Sequence, residues 1–252
     1  MICHGFMALA LGYMGALGQA LNHIETSLEL ARQLRHPYSL TLALITAGIY
    51  ALHLRDVERA AIYMEELFTL YTKQDEHYLA MHARIFQGWL ETVREDVAAG
   101  ILKMQESLEA TAAMGGQLWQ PFYRAILAEV YHRMGRDDAG MACLDPAWAV
   151  LDLAGDSVDA AELYRMRGEC LLGMPAPEPS LAEASFQQAL EIARAQEAKL
   201  LELRAAMSLG RLWQQQGRRD TARALLERVY RRFTEGLDTP LLQEARSMLD
   251  GL

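Results

Sequence analysis

Leu209-Gly210-Arg211-Leu212-Trp213-Gln214-Gln215-Gln216-Gly217-Arg218-Arg219-Asp220-Thr221-Ala222, continued by Arg223-Ala224-Leu225-Leu226, carries the pattern that decides the fold. Leu209, Leu212 and Trp213 lie three and four positions apart before the glycine, and Ala222, Leu225 and Leu226 repeat that spacing after it. Three-and-four spacing is the helical period, so the stretch reads as two helices joined by a turn at Gln216-Gly217-Arg218-Arg219. Met134-Gly135-Arg136-Asp137 has the same turn chemistry. No stretch alternates with period two, and the chain is read as all-α.

Along the rest of the chain small residues recur about every 40 positions: Ala20, Ala60, Gly100 and Gly140, then Ala182 and Ala222 after a two-residue slip near the Pro-rich connector Pro175–Pro179. A second series sits ahead of these: Ala8, Gly48, Gly88, Ala128, Gly168 and Gly210. A small side chain is needed where two helix axes approach to about 8–10 Å. Six hairpin units follow, over residues 1–37, 38–76, 77–116, 117–156, 157–197 and 198–236, within a single repeat domain spanning 1–252. One hairpin cannot hide its own apolar stripe, whereas stacked neighbours share a continuous core. The expected architecture is a right-handed α-solenoid of about six hairpins with a period of 40 residues and a C-terminal capping helix at 239–252.

Helix ends are expected from local chemistry. Ser180-Leu181-Ala182-Glu183 reads as a capping box, and Thr239-Pro240 as a cap before a first-turn proline. Gly236 suits a left-handed helix stop. Arg35-His36-Pro37, Gly115-Gly116 and Gly155-Asp156 read as connectors. Asp137, Asp138 and Asp220 fall in first turns, where the helix dipole favours negative charge.

These features resemble tetratricopeptide (TPR) repeats, with Leu209-Gly210, Trp213, Gly217, Ala222 and Leu226 matching best and Tyr164, Gly168, Ala182, Phe186 and Ala189 supplying the preceding unit. The 40-residue period departs from the usual 34 and implies longer helices. Three further stretches are Ala161-Glu-Leu-Tyr-Arg-Met-Arg-Gly168, Ala184-Ser-Phe-Gln-Gln-Ala-Leu-Glu-Ile-Ala193 and Phe233-Thr-Glu-Gly-Leu-Asp-Thr-Pro240. They look like the maltose-regulator-type helical arm of bacterial signalling proteins that join a class III adenylate/guanylate cyclase domain to a signal-transduction ATPase domain. The resemblance implies a sensory or interaction arm in the bacterial cytoplasm, with a protein or peptide partner that includes an ATPase or cyclase module encoded upstream. It also leaves open an effector-binding regulatory region of an ATPase or transcription regulator, or the tail of a cyclase. The chain begins at the first position of a repeat unit, and the expectation is that Met1 marks a truncated gene or a separately encoded arm.

No G-x-x-x-x-G-K-[ST] phosphate cradle, G-x-S-x-G turn or H-E-x-x-H helix occurs. Cys3, Cys143 and Cys170 form no C-x-x-C pair, and the seven histidines, His77 and His82 among them, read as dispersed surface residues. The expectation is no catalytic residue, no metal, no cofactor and no enzyme. With 24 basic and 33 acidic residues, net −9, neither nucleic acid nor an anionic membrane is an expected partner. The basic run Arg218, Arg219, Arg223, Arg228, Arg231 and Arg232 is interrupted by Asp220 and Glu227 and reads as an outer face. Phe6–Leu21 lacks a basic start and breaks at Gln19, which argues against a leader or spanning helix.

The first helix of each pair should line the concave side of such an array. In the second unit that side is aliphatic: Leu42, Ile45, Ile49 and Leu52, expected to be buried. Units three to six instead offer His82, Trp89, Phe122, Glu129, His132, Arg133, Arg165, Glu169, Arg204 and Arg211. These are the candidate groove for a peptide or an acidic segment, by bidentate Arg contacts and a Trp anchor. The competing reading has the aromatics filling gaps and the arginines pairing with Glu129 and Glu169.

Overall fold

The computed structural model describes residues 1–71, 77–94, 96–117, 119–154 and 157–252, and among them the chain forms thirteen α-helices and no strand. The connector expected at Gly155-Asp156 and the join between residues 76 and 77 lie at or outside the described residues. Two compact units divide the chain.

The first comprises Met1–Met114 with Phe233–Glu244. Its helices are α1 (Ile2–Tyr13), α2 (Leu17–Leu34), α3 (Pro37–His53), α4 (Val57–Tyr71), α5 (His77–Arg94) and α6 (Val97–Ala113). Each packs on its sequence partner, α1 on α2, α3 on α4 and α5 on α6, while α1 also packs on α3 and α3 on α5. The apolar start of the chain is cut into two helices, turned at Gly15 in the left-handed region (φ 83°). No described helix is long and apolar enough to cross a membrane.

Small residues sit where the helices approach most closely. A Cβ on Gly88 would come within 2.7 Å of the Gly100 carbonyl oxygen, and one on Gly100 would collide with the Gly88 carbonyl. The α5–α6 crossing is therefore backbone on backbone, which only glycine permits. Ala8, Ala20 and Ala60 are wholly buried at the matching positions. Around them lies a core of Ile24, Leu44, Ile45, Ile49, Leu67, Phe86 and Met104. Tyr50 crosses this core and donates its hydroxyl to the Leu17 carbonyl at 2.7 Å. Residues 233–244, which include the start of the capping helix expected at 239–252, dock here: the Leu241 amide donates to Leu54 O at 3.1 Å and Arg55 Nη1 meets Glu244 at 2.6 Å.

The second unit comprises Gly115–Arg232 with Ala245–Leu252. It contains α7 (Gln120–Arg133), α8 (Asp137–Ala154), α9 (Ala160–Gly173), α10 (Pro179–Ala195), α11 (Lys199–Gln215) and α12 (Arg219–Tyr230). Again α7 packs on α8, α9 on α10 and α11 on α12, with α7 on α9 and α9 on α11. Within both units first helices pack on first helices, and among the described residues no two second helices make a comparable contact. One core cluster gathers Ala125, Ala128, Leu144, Ala147, Leu163, Met166 and Cys170. Helix α13 (Pro240–Gly251) begins in the first unit's residues and ends in the second's, where Gln214 Nε2 donates to the Gly251 carbonyl at 3.4 Å.

Two expected caps are corrected. Helix α10 starts at Pro179 with Glu178 as its cap residue and no side-chain cap bond, because the proline takes the first helical position and puts Ser180 inside the first turn. Gly236 is left-handed (φ 68°), yet α12 has already ended at Tyr230; the glycine is required instead by close packing on Leu17, 2.6 Å from its would-be Cβ.

Candidate functional site: a charged face in the second unit

Three first helices of the second unit each carry a charged stripe at helical spacing. Helix α9 bears Glu162, Arg165 and Glu169; α11 bears Arg204, Ser208 and Arg211; α7 bears Glu129, His132 and Arg133. Residues three and four apart share one helix face, and α9 packs between α7 and α11, so the stripes meet. Arg165 is the hub. Its Nε donates to both Glu162 oxygens at 3.0 Å, its Nη2 to Glu162 Oε1 at 2.5 Å and to Glu129 Oε2 at 3.3 Å, and its Nη1 to Glu169 Oε1 at 3.3 Å. Arg204 adds bonds to Glu162 at 2.9 and 3.1 Å and to Glu129 at 3.2 Å. Arg211 Nη2 reaches Glu169 Oε1 at 3.2 Å, and the Ser208 hydroxyl donates to the same oxygen at 2.5 Å.

The network has depth. Side-chain exposure is 3% for Arg165, 6% for Arg204 and 7% for Glu162, but 33% for Glu129 and 36% for Arg211. Burial alone would raise the Glu162 carboxyl; the charges of Arg165 and Arg204, with their hydrogen bonds, outweigh it and hold the group well below the usual carboxylate range. Glu169 is likewise lowered, by Arg165, Arg211 and Ser208 acting against desolvation. Asp159, just ahead of α9, has no such cation: burial and then the Glu162 charge push it up to about 7.

His132 Nδ1 lies 2.6 Å from Asp137 Oδ1, and a Cβ on Gly173 would collide with that carboxylate. Cys143 and Cys170 are pushed up to about 12, mainly by burial, so their thiols stay protonated and unreactive as nucleophiles. No group of three or more His, Cys, Asp or Glu among the described residues is placed to hold a metal ion.

The candidate residues therefore separate. Glu129, Arg165, Glu169, Arg204 and Arg211 come together, with His132 and Arg133 on the same helix as Glu129. His82, Trp89 and Phe122 are buried and line no open surface. Of the aliphatic strip, Ile45 and Ile49 are buried and Leu42 and Leu52 partly so. The surface reading of the histidines is corrected at two positions. His53 is buried with Nδ1 2.9 Å from Ile49 O, and His82 is wholly buried and pushed down to about 4 by desolvation. Of the basic run in and around α12, Arg218 pairs with Glu183 at 2.9 Å and lies over the Trp213 ring, Arg231 pairs with Glu227 and Arg232 with Glu202.

Glu162 and Ser208 were not among the sequence candidates. Both signals were present, since Glu162 stands three before Arg165 and Ser208 four after Arg204. No family model matches the chain, and no curated protein matches it.

Proposed function

We propose that this chain is a non-enzymatic, TPR-like helical scaffold, an interaction arm acting in the bacterial cytoplasm that binds a protein or peptide partner on the first-helix face of its second unit. The observation that carries the reading is the convergence of charged side chains from α7, α9 and α11 on one face, locked at its base by Arg165, Arg204 and Glu162 and accessible at Glu129 and Arg211. A buried charged network adds little stability over apolar packing of the same volume, so its presence favours a recognition role. A locked base also holds the outer arginine in a fixed geometry for bidentate contact with a carboxylate. The first-on-first packing within each unit supports stacking as successive hairpins of a right-handed solenoid, and the upstream ATPase or cyclase module remains the proposed partner class.

The test places a photo-crosslinking amino acid at position 211 and, separately, at Arg223 on α12. Partner adducts formed from position 211, weakened by salt and missing from position 223, are expected. Adducts of equal yield from both positions, or none from 211, would remove the face from consideration.

A further inference from the structure

The first unit holds a cleft that the partner-binding reading does not use. Between α4 and α5, reaching the start of α6, lies a cavity of about 690 Å³, within the range of small-molecule sites. Its floor is apolar: Met64, Phe68 and Leu90, with Phe68 41% exposed although it is a large hydrophobic residue. Among the described residues its wall carries three carboxylates, Glu65, Glu91 and Asp96, against one cation, Arg94. Two of the four are already engaged with each other, Arg94 Nη2 lying 2.6 Å from Glu65 Oε1, and Asp96 accepts from the Ala99 amide as the cap of α6.

Glu91 is different. Its Oε1 holds Lys103, while its Oε2 is buried without a hydrogen-bond partner. An orphaned carboxylate oxygen beside a cavity calls for a donor. Glu91 itself lines the cleft, so its carboxylate is within reach of a cation bound there.

We propose that this cleft binds a small amphipathic amine, its ammonium on Glu91 and its apolar body on Met64, Phe68 and Leu90. An ammonium supplies three donors and no acceptor, which suits a wall rich in carboxylates. Phe68 offers a ring face to the same cation, and the thioether of Met64 adapts to the shape of the apolar body.

The test titrates the intact chain with 2-phenylethylammonium and, in parallel, with 2-phenylethanol, which has the same body without the charge. The methyl resonance of Met64 is the readout. A saturable shift with the amine, and binding of the alcohol weaker by about tenfold or more, are expected. Glu91→Gln weakens the amine by about tenfold and leaves the alcohol unchanged, and Phe68→Ala weakens both. No saturable shift, or equal affinity for amine and alcohol, overturns the proposal. So does an unchanged amine affinity in a folded Glu91→Gln. The amine–alcohol comparison needs no variant, so it decides the matter even where Glu91→Gln fails to fold.

Discussion

The two units use the same helical grammar and fill their first-helix faces in opposite ways. In the first, α3 presents Ile45 and Ile49 to a core in which the wholly buried His82 is held neutral. In the second, α9 and α11 bury Arg165, Arg204 and Glu162 as charges. Apolar burial is non-directional and tolerates small changes of shape, whereas a buried ion network stands or falls on each partner. The spacing of small residues specifies how helices cross; it leaves what lies between them free to differ.

The largest break in that contrast comes from Arg165→Met. Removing the hub leaves Glu162 with Arg204 alone and takes a partner from Glu129 and Glu169. A loss of about 3–5 kcal/mol in urea unfolding is expected, the usual cost of a buried charge left short of its partner. Adding Glu162→Leu should restore a large part, because the stranded carboxylate is gone. Failure of the double variant to recover would mean that shape, not charge, sets the tolerance of this face.

A second test reads both units through pH. Folded His82 refuses a proton until about pH 4, while the unfolded chain accepts it from 6.5. Its contribution is therefore complete above 6.5 and is lost as pH falls toward 4, by about 3 kcal/mol. Asp159 runs the other way: folded, it keeps its proton up to about 7, against 3.8 for the ordinary group. That contribution is complete below 3.8 and is lost as pH rises through 7, by about 4 kcal/mol. His82→Leu should flatten the acid-side loss in the first unit and Asp159→Asn the neutral-side loss in the second. Amide hydrogen exchange followed from pH 4 to 8 reports the two units separately. Slopes unchanged by either variant would show that the group titrates alike folded and unfolded.

How much of this was legible in the sequence follows from which interactions are local. The Gly135 and Gly217 turns could be seen because a positive φ (64° and 79°) selects glycine whatever surrounds it. The close crossing of Gly88 and Gly100 could be seen because small residues recur at those two register positions along the chain. Ser180 misled because Pro179 competes for the same helix start. The Arg204–Glu162 bonds join residues 42 apart, across the connector where the 40-residue register slips by two, so the pairing required the packing of α9 on α11. His82 carried no signal at all: a lone histidine on a helix looks the same buried or exposed.

The smallest effect tests the forgiving side of the contrast. Ile45 is wholly buried on α3, and Ile45→Val removes one methylene without adding a polar atom. A neighbourhood of aliphatic side chains closes part of such a gap, so the expected loss is about 1 kcal/mol with an unchanged denaturant slope. Ile45→Thr has nearly the volume of the valine variant but carries a hydroxyl. Thr46 on the same helix returns its hydroxyl to Leu42 O at 3.1 Å and Ala43 O at 3.0 Å, and a threonine at 45 would have to make the same return to its own helix. The cost of Thr beyond Val then measures how far the first unit accepts polarity. If Thr costs no more than Val, polarity is as welcome on α3 as on α9, and the difference between the two units comes down to which side chains each happens to carry.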